Sequence, residues 1–60
     1  VKAADAIAAW QNGRRVQVLY CDDWRDVLGF EWTFSGPRVH FLDCMQSRVR
    51  TAWRYEYQLL

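Results

Sequence analysis

Proline occurs once in this chain, lysine once, cysteine twice and glycine three times, and no apolar run approaches the length of a membrane span. Each shortage closes off a class of protein. With so little glycine and proline there is no linker, low-complexity tract or internal repeat, so the 60 residues read as a single domain, residues 1–60. Cys21 and Cys44 allow at most one intramolecular bridge, which rules out a disulfide framework. A transmembrane helix needs about 18 consecutive apolar residues, and none is present. Nor does the start read as a secretory signal, since Lys2 is followed by Asp5 and a short alanine-rich run without a dense apolar centre. The chain opens on Val1 rather than Met, which suggests trimming or a cleaved tag, and the expected address is the cytoplasm with both cysteines reduced. An excess of one charge is missing too. Eight basic and seven acidic residues leave a net charge of +1, so any anion binding must come from a local patch.

What the chain has in quantity is apolar and aromatic surface. It is 52% hydrophobic, with four Trp, three Tyr and three Phe, far too apolar for a disordered segment. A chain this short hides only about 60% of the surface its unfolded form exposes, so its stability is marginal and needs help from bulky side chains or from subunit association. Its positive charge is almost all arginine. A guanidinium forks onto phosphate or carboxylate and stacks on rings, so Arg beside Trp and Tyr suits an interface.

The longest alternation runs from Arg48 to Leu59. Val49, Thr51, Trp53, Tyr55, Tyr57 and Leu59 fall on one parity and Arg48, Arg50, Ala52, Arg54, Glu56 and Gln58 on the other, which predicts a terminal strand with an aromatic core face and an Arg-rich wet face. At the other end, Lys2 to Asn12 reads as a helix, with Ala3, Ala6, Ile7 and Trp10 on one face, Asp5 favouring the positive end of the dipole, and Asn12-Gly13 as the stop. Arg14 to Tyr20 follows as a strand with Val16, Val18 and Tyr20 inward. Cys21-Asp22-Asp23 is a turn, because Asp side chains bond nearby amides, and Trp24 to Leu28 returns as the hairpin partner. Gly29 breaks or bulges the chain before Phe30–Phe34, whose three aromatics share a parity. Ser35-Gly36-Pro37-Arg38 is a turn, Val39–Leu42 a strand, and Asp43–Ser47 a loop or one helical turn. The fold class is α+β: an N-terminal helix packed on a small antiparallel sheet of four or five short strands.

Cys21, His40 and Cys44, with Asp22 or Asp43, contain the atom types of a zinc site, but four residues of extended strand put His40 and Cys44 roughly 13 Å apart. No metal and no cofactor is expected. Cys44 or Cys21 with His40 as base is the only nucleophilic pair, and so short a chain leaves little material for a cleft, an oxyanion site and a core together. Asp22, Asp23 and Asp26 beside Trp24 form an acidic cluster that reads as a solvated turn, since alternation sends neighbouring side chains apart. The stronger candidate is cationic. Arg48, Arg50 and Arg54 share a parity, and Arg15 with Gln17 takes the outward parity of the first strand; if those strands are neighbours, side chains about 5 Å apart build a patch for a nucleotide phosphate, a nucleic-acid backbone or an acidic protein. Four tryptophans, Trp10, Trp24, Trp32 and Trp53, exceed what one helix over a small sheet can cover, so at least one is exposed. Trp24 beside arginine has the composition of a binding hot spot. The candidate ligand-binding residues are therefore Arg15, Arg48, Arg50, Arg54 and Trp24.

The order of helix, Asn12-Gly13-Arg14-Arg15-Val16-Gln17-Val18 strand, Trp24-Arg25-Asp26 strand and closing Tyr55-Glu56-Tyr57-Gln58-Leu59 resembles a loose class of small phage- and prophage-encoded α+β proteins. The resemblance covers both ends of the chain and not Gly29 to Gln46. The opening Asn-Gly-Arg-Arg-Val is also similar to that of anti-defence proteins that sequester cyclic-nucleotide signals as oligomers. The resemblance implies a non-enzymatic accessory protein in the host-cell cytoplasm, a homo-oligomer acting on an anionic ligand or a host protein and not on a membrane. A structural, virion-associated subunit is the alternative, ahead of a small Cys/His enzyme.

Overall fold

The alanine-rich start folds into α1 (Ala3–Gln11), and its end is chemically explicit. Gly13 takes φ +81°, its N–H donates to the Trp10 carbonyl at 3.0 Å and the Arg14 N–H reaches back to the Ala9 carbonyl at 3.0 Å. This paired closure around a left-handed glycine is the Schellman motif, as the Asn12-Gly13 step predicts. Ala3, Ala6, Ile7 and Ala9 are buried, and half-buried Trp10 meets Phe30 edge-on at 6.3 Å. A nine-residue helix is marginal alone, so docking on the sheet holds it.

The computed structural model describes the whole chain, Val1–Leu60. After α1 come β1 (Val16–Tyr20), β2 (Asp23–Thr33), β3 (Gly36–Asp43), β4 (Gln46–Thr51), a 3-10 turn at Ala52–Arg54, and β5 (Tyr57–Leu59). The five strands make one antiparallel sheet in the order β4-β3-β2-β1-β5, with α1 on one face, so the α+β expectation holds. No helix is long and apolar enough to cross a membrane.

The continuous terminal strand expected from Arg48 to Leu59 is not formed. The 3-10 turn divides it: β4 pairs β3 at one edge of the sheet, and β5 pairs β1 at the other. Ala52 is fully buried at the crossing, where the Tyr57 hydroxyl donates to its carbonyl at 2.8 Å. Beyond the turn the expected parity survives, with Tyr57 buried and Leu59 half-buried. Before the turn it is inverted. Arg48 and Arg50 stand opposite buried Phe41 and Val39 on the helix side, while Val49 and Thr51 stand opposite His40 and Arg38 on the other face. Trp53, expected inside, is 54% exposed. The physical reason is reach: α1 packs over β1, β2, β5 and the 3-10 turn, so the helix side of β4 is a sheet margin where a guanidinium keeps its water.

The middle of the chain is more regular than its punctuation implies. β2 runs through Gly29 as one eleven-residue strand, with a bulge between Val27 and Gly29 in place of a break. The turn expected over Ser35–Arg38 sits at Phe34–Ser35, held by Thr33 Oγ1 donating to the Gly36 carbonyl at 2.8 Å and accepting from the Ser35 N–H. Pro37, second in β3, lies beyond the end of the pairing with β4, so its missing N–H interrupts no ladder there. Asp43–Ser47, expected as a loop or helical turn, closes instead as a two-residue connection at Cys44–Met45. Cys44 and Met45 have φ +49° and +66°, and Cys21 and Asp22 in the first hairpin have +52° and +59°, the type I′ geometry that favours Asn and Gly.

Two outcomes follow for stability, both readable from urea denaturation. Tyr57→Phe leaves the buried Ala52 carbonyl without its phenol donor and should cost about 1–3 kcal/mol. Cys44→Asn combined with Met45→Gly should stabilise the fold by about 1 kcal/mol, because left-handed backbone is costly for ordinary side chains.

Candidate functional site

The topology separates the arginines expected to form one stripe. β1 and β4 lie three interstrand spacings apart, about 14 Å. They also point to opposite sides: Arg15 precedes inward Val16 and pairs with Asp26 at 3.5 Å, whereas Arg48 and Arg50 lie on the helix side of β4. Arg48 Nε donates to Asp43 Oδ2 at 2.6 Å, Arg50 Nη1 donates to the Val49 carbonyl at 2.9 Å, and Arg54 ends the 3-10 turn, exposed. The single cationic patch expected from these residues is therefore not assembled.

Other expected constellations are also dispersed. Cys21 and Cys44 are exposed at the tips of two separate hairpins, and His40 Nε2 lies 3.1 Å from Glu31 Oε1. No three His, Cys, Asp or Glu side chains stand close enough to share a metal ion. Asp23 Oδ1 accepts from the Trp24 N–H at 3.1 Å, while Asp26 binds Gln17 at 3.0 Å on the other face of the sheet. A shallow cleft of about 320 Å³ is lined by Trp10, Gly13, Arg14 and Arg15. It sits at the negative end of the α1 dipole, and Arg14 donates to the Leu60 carbonyl at 3.2 Å while Arg15 faces Asp26.

The charges that do converge were not legible as a group. Asp43, 7% exposed, receives Arg48 on one oxygen and Arg25 Nη2 at 3.4 Å on the other. The hydrogen bond from Arg48 holds the Asp43 carboxyl below the ordinary aspartate range against the opposing effect of burial, with Cys44 and Arg25 adding to the lowering. Arg48 is raised in turn by Asp43. Arg25 comes from β2, Asp43 from β3 and Arg48 from β4, so only the strand order brings them together. Near β5, the Glu56 carboxyl is lowered mainly by its hydrogen bond with Lys2.

The remaining candidate is the sheet face turned away from α1. Cα partners share a face, so Leu19 and Trp24, directly paired, lie together on this side, with Gln17–Asp26, Glu31–Arg38 and His40–Val49. Leu42, opposite Ser47, belongs to the same side. The bulge adds Leu28: Val27 and Phe30 both face the helix side opposite Phe41 and Val39, which turns Leu28 and Gly29 outward. Trp24, Leu28 and Leu42 are 39%, 51% and 42% exposed, and Leu19 and Val49 are half-buried beside them. Leu42 lies diagonally between Trp24 and Leu28, within side-chain reach of both. Asp26 stands among them, between Trp24 and Leu28 and level with Leu42, held by Gln17 and Arg15, while Glu31, Arg38 and His40 stand to one side. Of the sequence candidates, Trp24 and Arg15 belong to this face. Leu28 carried a signal beforehand, since a glycine inside an alternating run marks a bulge and a bulge turns two successive residues the same way.

A second aromatic surface lies at the opposite end of the sheet. Trp32 and Trp53 meet edge-on at 6.3 Å, the Trp53 ring packs over Gly36 at φ +110°, and Phe34 projects fully into solvent from its turn. Phe30 and Trp32 share the helix-side face as their parity predicts, opposite Val39 and Pro37, but only Phe30 reaches the core, packing on Tyr57 at 5.7 Å.

No protein-family model, curated protein or solved structure matches this chain.

The carboxylates set the acid response. Asp43 and Glu56 have lower pKa values folded than unfolded, so their contribution is complete above the ordinary carboxylate range, about pH 4, and is lost as pH falls through the folded values. The urea midpoint should therefore fall on acidification below about pH 4. Asp43→Asn should lower the midpoint at neutral pH and flatten that acid limb.

Proposed function

We propose that this chain is a non-enzymatic binding module that works through the open face of its sheet against another protein surface. One observation carries the reading: Trp24, Leu28 and Leu42 stand exposed where a one-sided antiparallel sheet ordinarily alternates to polar residues. Exposed leucines with a tryptophan among them, around a carboxylate that Gln17 and Arg15 already hold, suit a mixed protein interface. Rings and branched side chains on a rigid five-stranded sheet lose little freedom when covered, which favours association. The resemblance of the helix, the Asn-Gly-Arg-Arg-Val strand, the Trp-Arg-Asp strand and the Tyr-Glu-Tyr close to small phage-encoded proteins supports an accessory role exercised by contact in a host cell. An anionic ligand is the weaker reading, because the guanidiniums are divided between two faces and most have acceptors of their own.

The test is affinity capture from host lysate with a tagged chain and with its Leu28→Glu/Leu42→Glu double variant, an untagged copy being co-expressed. The native chain should retain at least one protein, foreign or the untagged copy, that the variant loses about tenfold or more, while both give the same circular dichroism. Identical recoveries from the two would sink the reading.

A further inference from the structure

The open face has features that select its occupant. We infer that the face is covered by a second copy of this chain, packed sheet on sheet about a two-fold axis parallel to the strands and lying between β2 and β3. This rests on the reading of that face as a binding surface and adds the identity of the partner.

Size is the first argument. The molecule measures 26 × 26 × 17 Å, so the broad face is about 700 Å² in projection. A standard specific interface takes about 600–1,000 Å² from each partner, so this face reaches the lower part of that range only if nearly all of it is used. A second identical face meets that condition by construction.

Charge is the second argument. The face carries Arg15 and Arg38 against Asp26 and Glu31, two charges of each sign, with Asp26 between Trp24 and Leu28. A foreign partner is best selected by a face of one sign, whereas a balanced face neither repels its own copy nor attracts a charged stranger. In a two-fold interface residue i meets j while j meets i. The proposed axis exchanges β2 and β3 positions that share a level of the sheet. Glu31 and Arg38 are direct cross-strand partners, so each Glu31 is set over the partner copy's Arg38, and each Arg38 over its Glu31. The same operation sets Asp26, which is level with Leu42, over Leu42 of the other copy, with Trp24 and Leu28 flanking that contact and Gln17 and Arg15 holding the carboxylate. Aligned sheets pack about 10 Å apart, a gap these side chains fill.

Burial is the third. Only 13 of the 60 residues are buried in the single chain, with Trp24, Leu28 and Leu42 left outside. Stacking two copies converts a two-layer helix-on-sheet unit into four layers, helix, sheet, sheet, helix, and covers Trp24, Leu28 and Leu42 between the sheets. This supplies the reinforcement so short a chain needs. The Trp32–Phe34–Trp53 surface lies at the far end of the hairpins and stays accessible in the pair.

Sedimentation equilibrium across a wide concentration range tests this. The native chain should behave as a species of about twice 7.2 kDa. Leu42→Glu, and separately Leu28→Glu, should shift it toward monomer with a dissociation constant raised about tenfold or more, circular dichroism unchanged. Glu31→Arg should weaken the pair by setting like charges over Arg38, and adding Arg38→Glu should restore it. A native chain that stays monomeric at every concentration overturns the inference, as does an assembly that survives Leu42→Glu intact. A monomer that nonetheless captures a foreign protein lost by the face variant would remove the second copy alone and leave the binding reading standing.

Discussion

The fold turns on a crossing made in a few residues. From Thr51 to Tyr57 the chain leaves one edge of the sheet and reaches the other, and the 3-10 turn at Ala52–Arg54 makes the first step. Ala52 is fully buried there, and its carbonyl accepts from the Tyr57 hydroxyl, which ties the turn to β5. Burial pushes that phenol's pKa upward, so the donor stays protonated at ordinary pH. The Val1 nitrogen and carbonyl hydrogen-bond the backbone of Tyr57, and Lys2 pairs with Glu56, so the start of α1 is stitched to the strand that the crossing delivers. Helix position, β5 pairing and the aromatic contacts of Tyr57 are consequences of one constraint.

From it follows the asymmetry of the two sheet faces. A helix anchored at β5 and nine residues long extends over β1 and β2 and stops short of β4. The margin beyond its reach is filled by charge, with Asp43 held between Arg25 and Arg48 in a partly wet setting where the pair need not bear the full desolvation of a closed core. The opposite face has no helix, yet it carries tryptophan and leucine. Polar residues placed where a core face was expected, and apolar residues placed where a wet face was expected, are two sides of the same register.

Much of the local structure was legible beforehand. The 3.6-residue spacing of Ala3, Ala6 and Ile7, the left-handed glycine at Gly13 and the alternation of Val16 and Val18 depend on neighbours within a turn or two, and each appears where the sequence places it. Gly29 was ambiguous between break and bulge because both relieve the same local strain; pairing with β3 on both sides of it decided for the bulge. The candidate site was less legible. Trp24 and Arg15 were identified and do share the open face, but Leu28 and Leu42 were not among the site residues, since leucine in a strand declares burial without declaring what buries it.

The sequence by itself determined the class of fold, the helix and its stop, and the antiparallel sense of the sheet, because side-chain period, capping and turn chemistry act over a handful of residues. Which strands are neighbours, which side of β4 faces the helix, and therefore whether Arg48 and Arg50 meet Arg15 or Asp43, was decided only in the assembled sheet. A strand's alternation says that two faces differ, and it says nothing about which face a distant helix will reach. That choice belongs to the crossing at Ala52 and the length of α1, and it left Trp24, Leu28 and Leu42 on the uncovered side.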